Sequence, residues 1–286
     1  MKKIAIIGLG LIGGSLALAF KKAGFYVIGI ARREETLLEA KERGAIDQGS
    51  CKIKDVAAAD FVFICTPINL IIPILTEAIP HLKEGAVVSD VGSTKQEIVS
   101  CAEKMMPKGI FFVGGHPMAG KEKVKFEEAE ASLFYNKRWI LTETLKSDKK
   151  ATLAIEELIK VTGAQISRLS PKTHDLVVAA ISHMPLAVAV ALVNAVGGEV
   201  EKELMFKCAA SGFFDTTRIA SGDPVLGIDM FVTNKKAVLK MIKAFKASLF
   251  LLEKFIKNGD IEFIKKEIER AKIVRDKSCS LANYSK

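Results

Sequence analysis

The sequence lacks the cysteine pattern of a disulfide-rich or metal-binding protein. Its 286 residues contain five cysteines, which are scattered, odd in number and without any pair at metal-ligand spacing. Such usage suggests no disulfide framework and is typical of a reducing cytoplasm. We therefore expect a cytoplasmic protein that holds no metal.

A clear targeting segment and an uninterrupted membrane span are also missing. The apolar run after the first three residues contains four glycines and no clear small-residue cleavage site, so we interpret it as structure. The apolar stretch 177–196 is interrupted by Ser182, His183, Pro185 and Asn194. We expect a buried helix in a helical core or dimer interface there, and no membrane partner.

Acidic residues are outnumbered, with 33 Asp and Glu against 42 Lys and Arg, which gives a net charge of +9. Lysines crowd toward the C-terminus, at Lys235, Lys236, Lys240, Lys243 and Lys246. They lie among apolar residues at helical spacing, which favours a solvated helix face over a nucleic-acid surface. The excess of positive charge is also compatible with a small anionic ligand. We expect no nucleic-acid partner.

A glycine-rich block stands near the start of the chain. The β-branched run Lys3–Ile7 is followed at once by Gly8-Leu9-Gly10-Leu11-Ile12-Gly13, then by apolar residues at helical spacing, then by the apolar run Tyr26–Ile30. This order of strand, glycine loop, helix and strand is the context that a dinucleotide-binding fingerprint requires.

Five positions of that block have a role in holding a pyrophosphate. Gly8 permits the tight turn, Gly10 lets backbone N–H groups approach the phosphates, and Gly13 lets the helix pack closely on the strand. Leu11 and Ile12 open the helix, whose N-terminus supplies partial positive charge. We therefore assign these five residues to cofactor binding.

The second strand ends without the carboxylate that binds ribose hydroxyls in NAD sites. Ala31, Arg32 and Arg33 follow it instead. Two guanidinium groups suit a 2′-phosphate, so the pattern favours NADP over NAD, although NAD stays possible. The alternative is that both arginines are surface residues paired with Glu34 and Glu35.

Further strands predict one functional edge of a sheet. Apolar strands are expected at Phe61–Cys65, Ala86–Asp90, Ile110–Val113, Trp139–Thr142 and Ala164–Ile166, with helices at Ile68–Leu82 and about 150–161. The carboxyl ends of parallel strands meet at one edge, where α/β sheets bind ligands. Thr66, Ser93 and His116 should lie there, with Thr66 and Pro67 beside the cofactor.

His116 is the strongest candidate for a catalytic base. It lies in Gly114-Gly115-His116-Pro117-Met118-Ala119-Gly120, where we expect the strand to end and the chain to turn. Histidine titrates near neutral pH, so this ring suits proton transfer; the alternative is a tight turn whose histidine only caps the strand. Ser93 is expected to lie beside His116 at the site, or to cap the following helix, or both.

The strand pattern stops at Ser170-Pro171, and only helical segments follow. They are expected at Lys172–Val196, Glu199–Ser211, Lys235–Lys257 and Ile261–Asp276. We therefore predict an α/β Rossmann-type dinucleotide-binding domain over residues 1–169 and an all-helical domain over 170–286.

Two clusters stand out in the helical half. One joins His174-Asp175 with Ser182-His183-Met184-Pro185, and the other runs from Phe213 to Pro224 and contains Arg218. Arg218 could hold a substrate carboxylate bidentately, or it could pair with Asp215 or Asp223.

These motifs together resemble the prephenate and arogenate dehydrogenases of tyrosine biosynthesis. The similarity covers nearly the whole chain and rests on the glycine block extended to Ser15, Cys65-Thr66-Pro67, Asp90-Val91-Gly92-Ser93-Thr94-Lys95, Gly115–Gly120, Ser182–Pro185 and Asp215–Ala220. The resemblance implies a helical domain that forms a homodimer. It also implies that His116 and Ser93 act on the substrate hydroxyl, and that Arg218, His183 and Gly115 bind the substrate.

Two positions depart from the prephenate-type pattern. Leu186 stands where those enzymes often carry a second histidine, and Gly227 where they often carry a tryptophan. With the two arginines after the second strand, these departures resemble the NADP-using arogenate branch. The expected reaction is oxidative decarboxylation of L-arogenate to L-tyrosine; prephenate oxidation, or use of both substrates, is the alternative.

Two less similar kinds of protein are the remaining alternatives. A dehydrogenase of the 3-hydroxyacid type would rely on a lysine base in the helical domain, where this chain has lysines only at expected exposed positions. A non-enzymatic NADP-sensing module would need the glycine fingerprint but not His116, Ser93 and Arg218 together.

Overall fold

The computed structural model describes residues 1–121 and 125–281, and an eight-stranded sheet forms its centre. The strands are β1 (Lys3–Ile7), β2 (Tyr26–Ile30), β3 (Gln48–Ser50), β4 (Phe61–Ile64), β5 (Val87–Asp90), β6 (Phe111–Pro117), β7 (Arg138–Thr142) and β8 (Gln165–Leu169). Their order across the sheet is β3-β2-β1-β4-β5-β6-β7-β8, and only β6 and β7 pair antiparallel.

This strand order creates the crevice that a dinucleotide needs. The chain order reverses between β1 and β4, and ligands bind beyond the carboxyl ends of the strands at such a point. Four consecutive residues of each of these strands are buried, as expected for central parallel strands covered by helices on both faces.

Five helices cover the sheet: α1 (Leu11–Lys22), α2 (Glu34–Glu42), α3 (Ile68–Ala78), α4 (Gln96–Met105) and α5 (Lys149–Lys160). Two apolar clusters result, one on each face. Leu16 and Phe20 of α1 join one with Trp139 of β7. Ile71 of α3 and Ile98 of α4 join the other. The predicted Rossmann-type layering is confirmed.

Strand β6 runs past the end that the sequence predicted. It continues to Pro117 because Gly114 to Pro117 pair antiparallel with β7, His116 lying opposite Ile140. The expectation that His116 lies in a turn after the strand was therefore wrong. The ladder holds its backbone, which gives the ring a more rigid base than a loop would.

The helical half begins with a helix that contains a π-helical turn. Instead of one helix over 172–196, the chain forms α6 (Pro171–Val178), a π-helical turn (Ala179–His183) and α7 (Met184–Gly197). Ser170 caps α6, its hydroxyl oxygen accepting from the N–H of Thr173 at 3.2 Å. The three segments together are long and apolar enough to cross a membrane by composition, with a hydropathy of 2.3.

Shorter helices follow: α8 (Lys202–Lys207), α9 (Ser211–Thr217) and α10 (Pro224–Thr233). The helix predicted over 199–211 is thus interrupted, because Ala210 is extended and α9 starts after it. By contacts, Met1–Lys235 form one compact unit, a division later than the expected boundary near residue 170. Residues 171–235 join the sheet's unit because α6 docks on α4 through Asp175.

The second compact unit starts at Lys236. It contains most of α11 (Lys235–Asn258) together with α12 (Ile261–Leu281), close to the predicted ranges. The rings of Phe255 and Phe263 stack at 4.9 Å between centroids. The lysines expected on a solvated face are exposed.

Candidate active site

The glycine block forms a turn that only glycine permits. Gly8 has a φ of 97°, and a Cβ there would lie 2.7 Å from the carbonyl oxygen of Cys65. A Cβ on Gly13 would lie 1.9 Å from the carbonyl oxygen of Gly8. Helix α1 begins at Leu11, after Gly10, without a side-chain cap, so its first N–H groups are left for an anion. Ile12 belongs to this first turn.

The two arginines lie at the same end of the sheet. The N–H of Gly8 donates to the carbonyl of Ile30 at 2.8 Å, which places the glycine turn beside the end of β2. Ala31, Arg32 and Arg33 follow that end, and both guanidinium groups are exposed. Within residues 1–121 and 125–281, neither arginine pairs with Glu34 or Glu35, the alternative that the sequence left open.

Two buried hydroxyl groups have no hydrogen-bond partner among the described residues. Thr66, which precedes Pro67 after β4, and Ser93, after β5, each have a buried Oγ without a hydrogen-bond partner among the described residues. An unsatisfied buried hydroxyl costs about 1–3 kcal/mol, so a ligand is the expected partner. These hydroxyl groups and the glycine turn fit a dinucleotide and a substrate lying along one edge.

Ser93 does not cap α4. The N-cap position is Lys95, and no side chain from the loop itself caps the helix. The carboxylate of Asp175 does so from α6, accepting from the N–H of Lys95 at 2.7 Å and of Gln96 at 2.9 Å. The hydroxyl of Ser93 is therefore available for another role.

His116 is the first member of a hydrogen-bonded chain of three side chains. Its Nδ1 lies 2.8 Å from Nε2 of His174, whose Nδ1 lies 2.8 Å from a carboxylate oxygen of Asp175. A carboxylate only accepts, so His174 donates from Nδ1 and accepts at Nε2. His116 must then donate from Nδ1, which leaves the lone pair on its Nε2.

A buried ion pair lies under the same site. The ammonium of Lys95 pairs with the carboxylate of Asp90, and both side chains are fully buried. Asp90 also accepts from the N–H groups of Gly92 at 2.8 Å and Gly115 at 3.2 Å. Gly115 itself is buried, and a Cβ on it would lie 2.7 Å from the carbonyl oxygen of Asp90. It therefore permits close packing beside His116.

The surroundings keep His116 neutral. Burial lowers the pKa of His116 well below its usual value, and the nearby positive or potentially positive His174, Lys95 and His183 lower it further. Burial also lowers the pKa of Lys95, opposed by Asp90. A neutral imidazole with a free Nε2 lone pair is the form that accepts a proton from a substrate hydroxyl.

The remaining predicted substrate residues lie in the helical half. His183 ends the π turn and is 1% exposed, whereas Arg218 is exposed and begins a short 3₁₀ turn, Arg218–Ser221. Asp223, one of the expected partners of Arg218, caps α10 by accepting from the N–H of Val225 at 2.8 Å.

Leu186 and Gly227, the two positions that depart from the prephenate-type pattern, line one cavity. This cavity of about 500 Å³ is lined by Leu186 and Gly227 together with Ser182, Asp223 and mostly apolar residues. A Cβ on Gly227 would lie 3.5 Å from a methyl of Leu186. The two positions therefore face each other, and a larger residue at either would change the same space.

Comparison with known proteins now assigns the chain. Two family models match it: the nucleotide-binding domain of prephenate dehydrogenase over residues 16–168 and the dimerization domain of prephenate dehydrogenase over residues 170–270. The chain belongs to the prephenate dehydrogenase family. It is thus an oxidoreductase of an NAD(P)-dependent family, as its motifs indicated.

Individual relatives of this family are similar over nearly the whole chain. A prephenate dehydrogenase of Bacillus subtilis is 37% identical, over 96% of this chain and 75% of the relative. The structure of Synechocystis arogenate dehydrogenase is 36% identical with a TM-score of 0.88, over 96% of this chain and 99% of that one. A prephenate dehydrogenase from A. aeolicus, in complex with hydroxyphenyl propionate and NAD⁺, is 35% identical with a TM-score of 0.91, over 97% and 98%.

Three site residues had no role in the sequence-based prediction. His174 and Asp175 stood out only as a pair on a helix, and Lys95 only as part of a motif. The pair His174-Asp175 near the start of a helix is a weak sequence signal for a site, because the partner of His174, His116 on β6, is 58 residues away in sequence.

Proposed function

We propose that this chain oxidatively decarboxylates L-arogenate to L-tyrosine with NADP in tyrosine biosynthesis. The observation that carries the choice of substrate is that Leu186 and Gly227 line the same cavity. Neither residue places a cation or a large hydrogen-bond donor in the cavity. The cavity therefore suits the side chain of arogenate, which carries an ammonium group. The two unpaired arginines after β2 support the choice of cofactor.

The chemistry follows from the state of His116. Its Nε2 accepts the proton of the substrate's ring hydroxyl, while the hydroxyl of Ser93 donates to the same oxygen. The carbon that bears this oxygen loses a hydride, and the ring carboxylate leaves as carbon dioxide while the ring becomes aromatic. The nicotinamide, when bound, supplies the hydride acceptor. His174 and Asp175 hold His116 in the reactive tautomer.

Binding roles are proposed for the other predicted residues. Arg218 holds one substrate carboxylate and His183 contacts the substrate, while Gly115 acts through close packing beside His116. Gly8, Gly10, Leu11, Ile12 and Gly13 would hold the pyrophosphate of the cofactor. Ala31, Arg32 and Arg33 would hold the adenosine 2′-phosphate, and Thr66 and Pro67 would contact the cofactor nearer its nicotinamide.

The second candidate is oxidation of prephenate, or of both cyclohexadienols. The similarity to proteins named prephenate dehydrogenase in Bacillus subtilis and A. aeolicus favours it. NAD, the cofactor in the A. aeolicus complex, is the matching alternative to NADP.

We propose a cytoplasmic homodimer that works without nucleic acid or membrane, with residues 1–169 binding the cofactor and 170–286 dimerising. Exposed apolar side chains of the helical half support the dimer, including Ile181 at 62%, Ile228 at 60% and Val232 at 68% exposure. The matched dimerization-domain model agrees with it.

One assay tests the proposed reaction. Absorbance of the reduced cofactor is followed with arogenate and with prephenate, each with NADP and with NAD. We expect kcat/KM for arogenate to exceed that for prephenate by at least about tenfold, roughly 1.4 kcal/mol of transition-state binding. A ratio near one, or in favour of prephenate, overturns the assignment. In Leu186→His the ratio should fall, whereas the size-matched Leu186→Met should preserve it.

A further inference from the structure

Asn234 ties the end of α10 to the π-helical turn. Its side chain is 5% exposed, and its amide nitrogen donates to the carbonyl of Asp175 at 2.8 Å and lies 3.3 Å from Nδ1 of His183. The preceding residue, Thr233, shares a 2.9 Å hydrogen bond with the hydroxyl of Thr94. Asn234 is thus fixed between α6, the π turn and the loop after β5.

This geometry determines which nitrogen of His183 carries the proton. A backbone carbonyl only accepts, so the atom of Asn234 that faces Asp175 must be its NH₂ group. The same NH₂ group faces Nδ1 of His183, which therefore accepts. In a neutral ring the proton must then lie on Nε2.

The ring is neutral under physiological conditions. Burial lowers the pKa of His183 to about 4; the carboxylate of Asp175 opposes this shift, and His174 adds to it. A neutral His183 has one donor, Nε2–H. No hydrogen bond from Nε2 exists within residues 1–121 and 125–281, so this donor is available to a ligand.

His183 is also close enough to the catalytic ring to affect it. A charge on His183 would lower the pKa of His116, as His174 does. Three of the four histidines of the chain therefore meet at one site. A donor there faces a substrate whose two carboxylates each need partners, and Arg218 is assigned to only one of them.

We propose that Asn234 is a positioning residue that fixes His183 as an Nε2–H donor to a carboxylate oxygen of the substrate. The identity of that substrate rests on the proposed function. Prephenate and arogenate share their carboxylates, so the proposal predicts equal importance for both substrates.

The tautomer is measured directly by long-range ¹H–¹⁵N spectra of protein labelled at histidine, with His183→Gln used to assign the signals. We expect the Nε2–H pattern for His183 at neutral pH. An Nδ1–H pattern or a charged ring in the unaltered protein overturns the proposal. This result does not depend on which substrate is used, so it separates the inference from the proposed function.

Asn234→Asp tests the role of the amide. A carboxylate accepts, so Nδ1 of His183 must take the proton, and Nε2 becomes an acceptor once the ring is neutral. At alkaline pH we expect KM to rise about tenfold or more for both substrates, the scale of a lost hydrogen bond to a charged group, with a smaller effect on kcat. Asn258→Asp, an exposed site, makes the same charge change and should leave KM unaltered.

The other possible results for Asn234→Asp also support or overturn the proposal. NADP binding followed by fluorescence should persist in Asn234→Asp, which shows that the protein is folded. A folded variant with unchanged KM and an unchanged Nε2–H signal overturns the role of Asn234. A rise in KM for one substrate only overturns the carboxylate as the acceptor.

Discussion

The Nδ1 of His116 and the Nε2 of His174 lie 2.8 Å apart, although the two residues come from a strand and a helix of different halves of the chain. Their ring centroids are 5.0 Å apart and the planes are inclined at 66°, an edge-on arrangement that suits a hydrogen bond. Since this bond occupies Nδ1 of His116, Nε2 is the ring nitrogen left for the proton transfer that we propose.

Replacing His116 with Asn should abolish most turnover. We expect kcat to fall by about 10²–10⁴, the usual contribution of a general base, with cofactor binding retained. Steady-state kinetics at neutral pH measure the effect, and His81→Asn at an exposed histidine is the control. Near-full turnover in His116→Asn would show that the ring is not the base.

Ser93→Ala should cost less than the loss of His116. It removes one hydrogen bond, worth about 0.5–1.5 kcal/mol, to an oxygen that His116 also contacts. We expect a lower kcat and an unchanged melting temperature, because the hydroxyl has no hydrogen-bond partner among the residues that the structure describes. Ser100→Ala, on the exposed face of α4, is the control. Unaltered kinetics would leave Ser93 without a catalytic role.

Arg218→Ala should weaken substrate binding. Loss of a hydrogen bond between charged groups costs about 1.5–3 kcal/mol, so KM should rise while NADP titration stays the same. Arg218→Lys retains the charge but not the planar fork, and it should recover only part of the loss. A variant that no longer folds would indicate that the side chain is structural.

Changing Arg32 and Arg33 together to Ala should alter cofactor preference. Because the guanidinium groups are assigned to the 2′-phosphate, which NAD lacks, the Kd of NADP should increase much more than that of NAD. Lys41→Ala, at the far end of α2, controls for the loss of nearby charge. Equal losses for the two cofactors would place the phosphate elsewhere.

Acid should destabilise the protein through its buried histidines. The pKa of His183 is lowered from 6.5 to about 4, and the pKa of His116 is also lowered. The unfolded chain therefore binds more protons in this range, so the free energy of unfolding falls as the pH drops from about 6.5 toward about 4. The contribution of His183 is up to about 3 kcal/mol.

Urea unfolding at neutral pH and at about pH 4.5 measures this loss. His183→Gln cannot take up the proton, so its stability should depend less on pH than that of the unaltered protein. His81→Gln should retain the full dependence because His81 is exposed. The same pH dependence in His183→Gln would exclude His183 as its source.

Local patterns predicted most of the sheet domain. The glycine block, the apolar runs and their spacing located β1, β2, β4 and β5 within about a residue at each end. They missed β3, whose residues Gln48–Ser50 are polar and mostly exposed at the sheet edge. They also ended β6 too early, because its last residues are ordered by pairing with β7 and not by their own composition.

Less of the chemistry of the site could be predicted from the sequence. The motifs made His116 and Ser93 candidates, but the orientation of His116 depends on how α6 docks against α4. The π turn that sets the position of His183 has no pattern distinct from the helix around it. Only the packed structure shows that Asn234 and Asp175 are partners, since they are 59 residues apart.

Asp175 caps α4 and also holds the ring that contacts His116. One oxygen of its carboxylate holds His174 and the N–H of Lys95, and the other holds the N–H of Gln96. Removing this carboxylate would take away both the cap of α4 and the hydrogen-bond partner of His174. The first turn of α4 and the orientation of the His116 ring therefore depend on a single side chain.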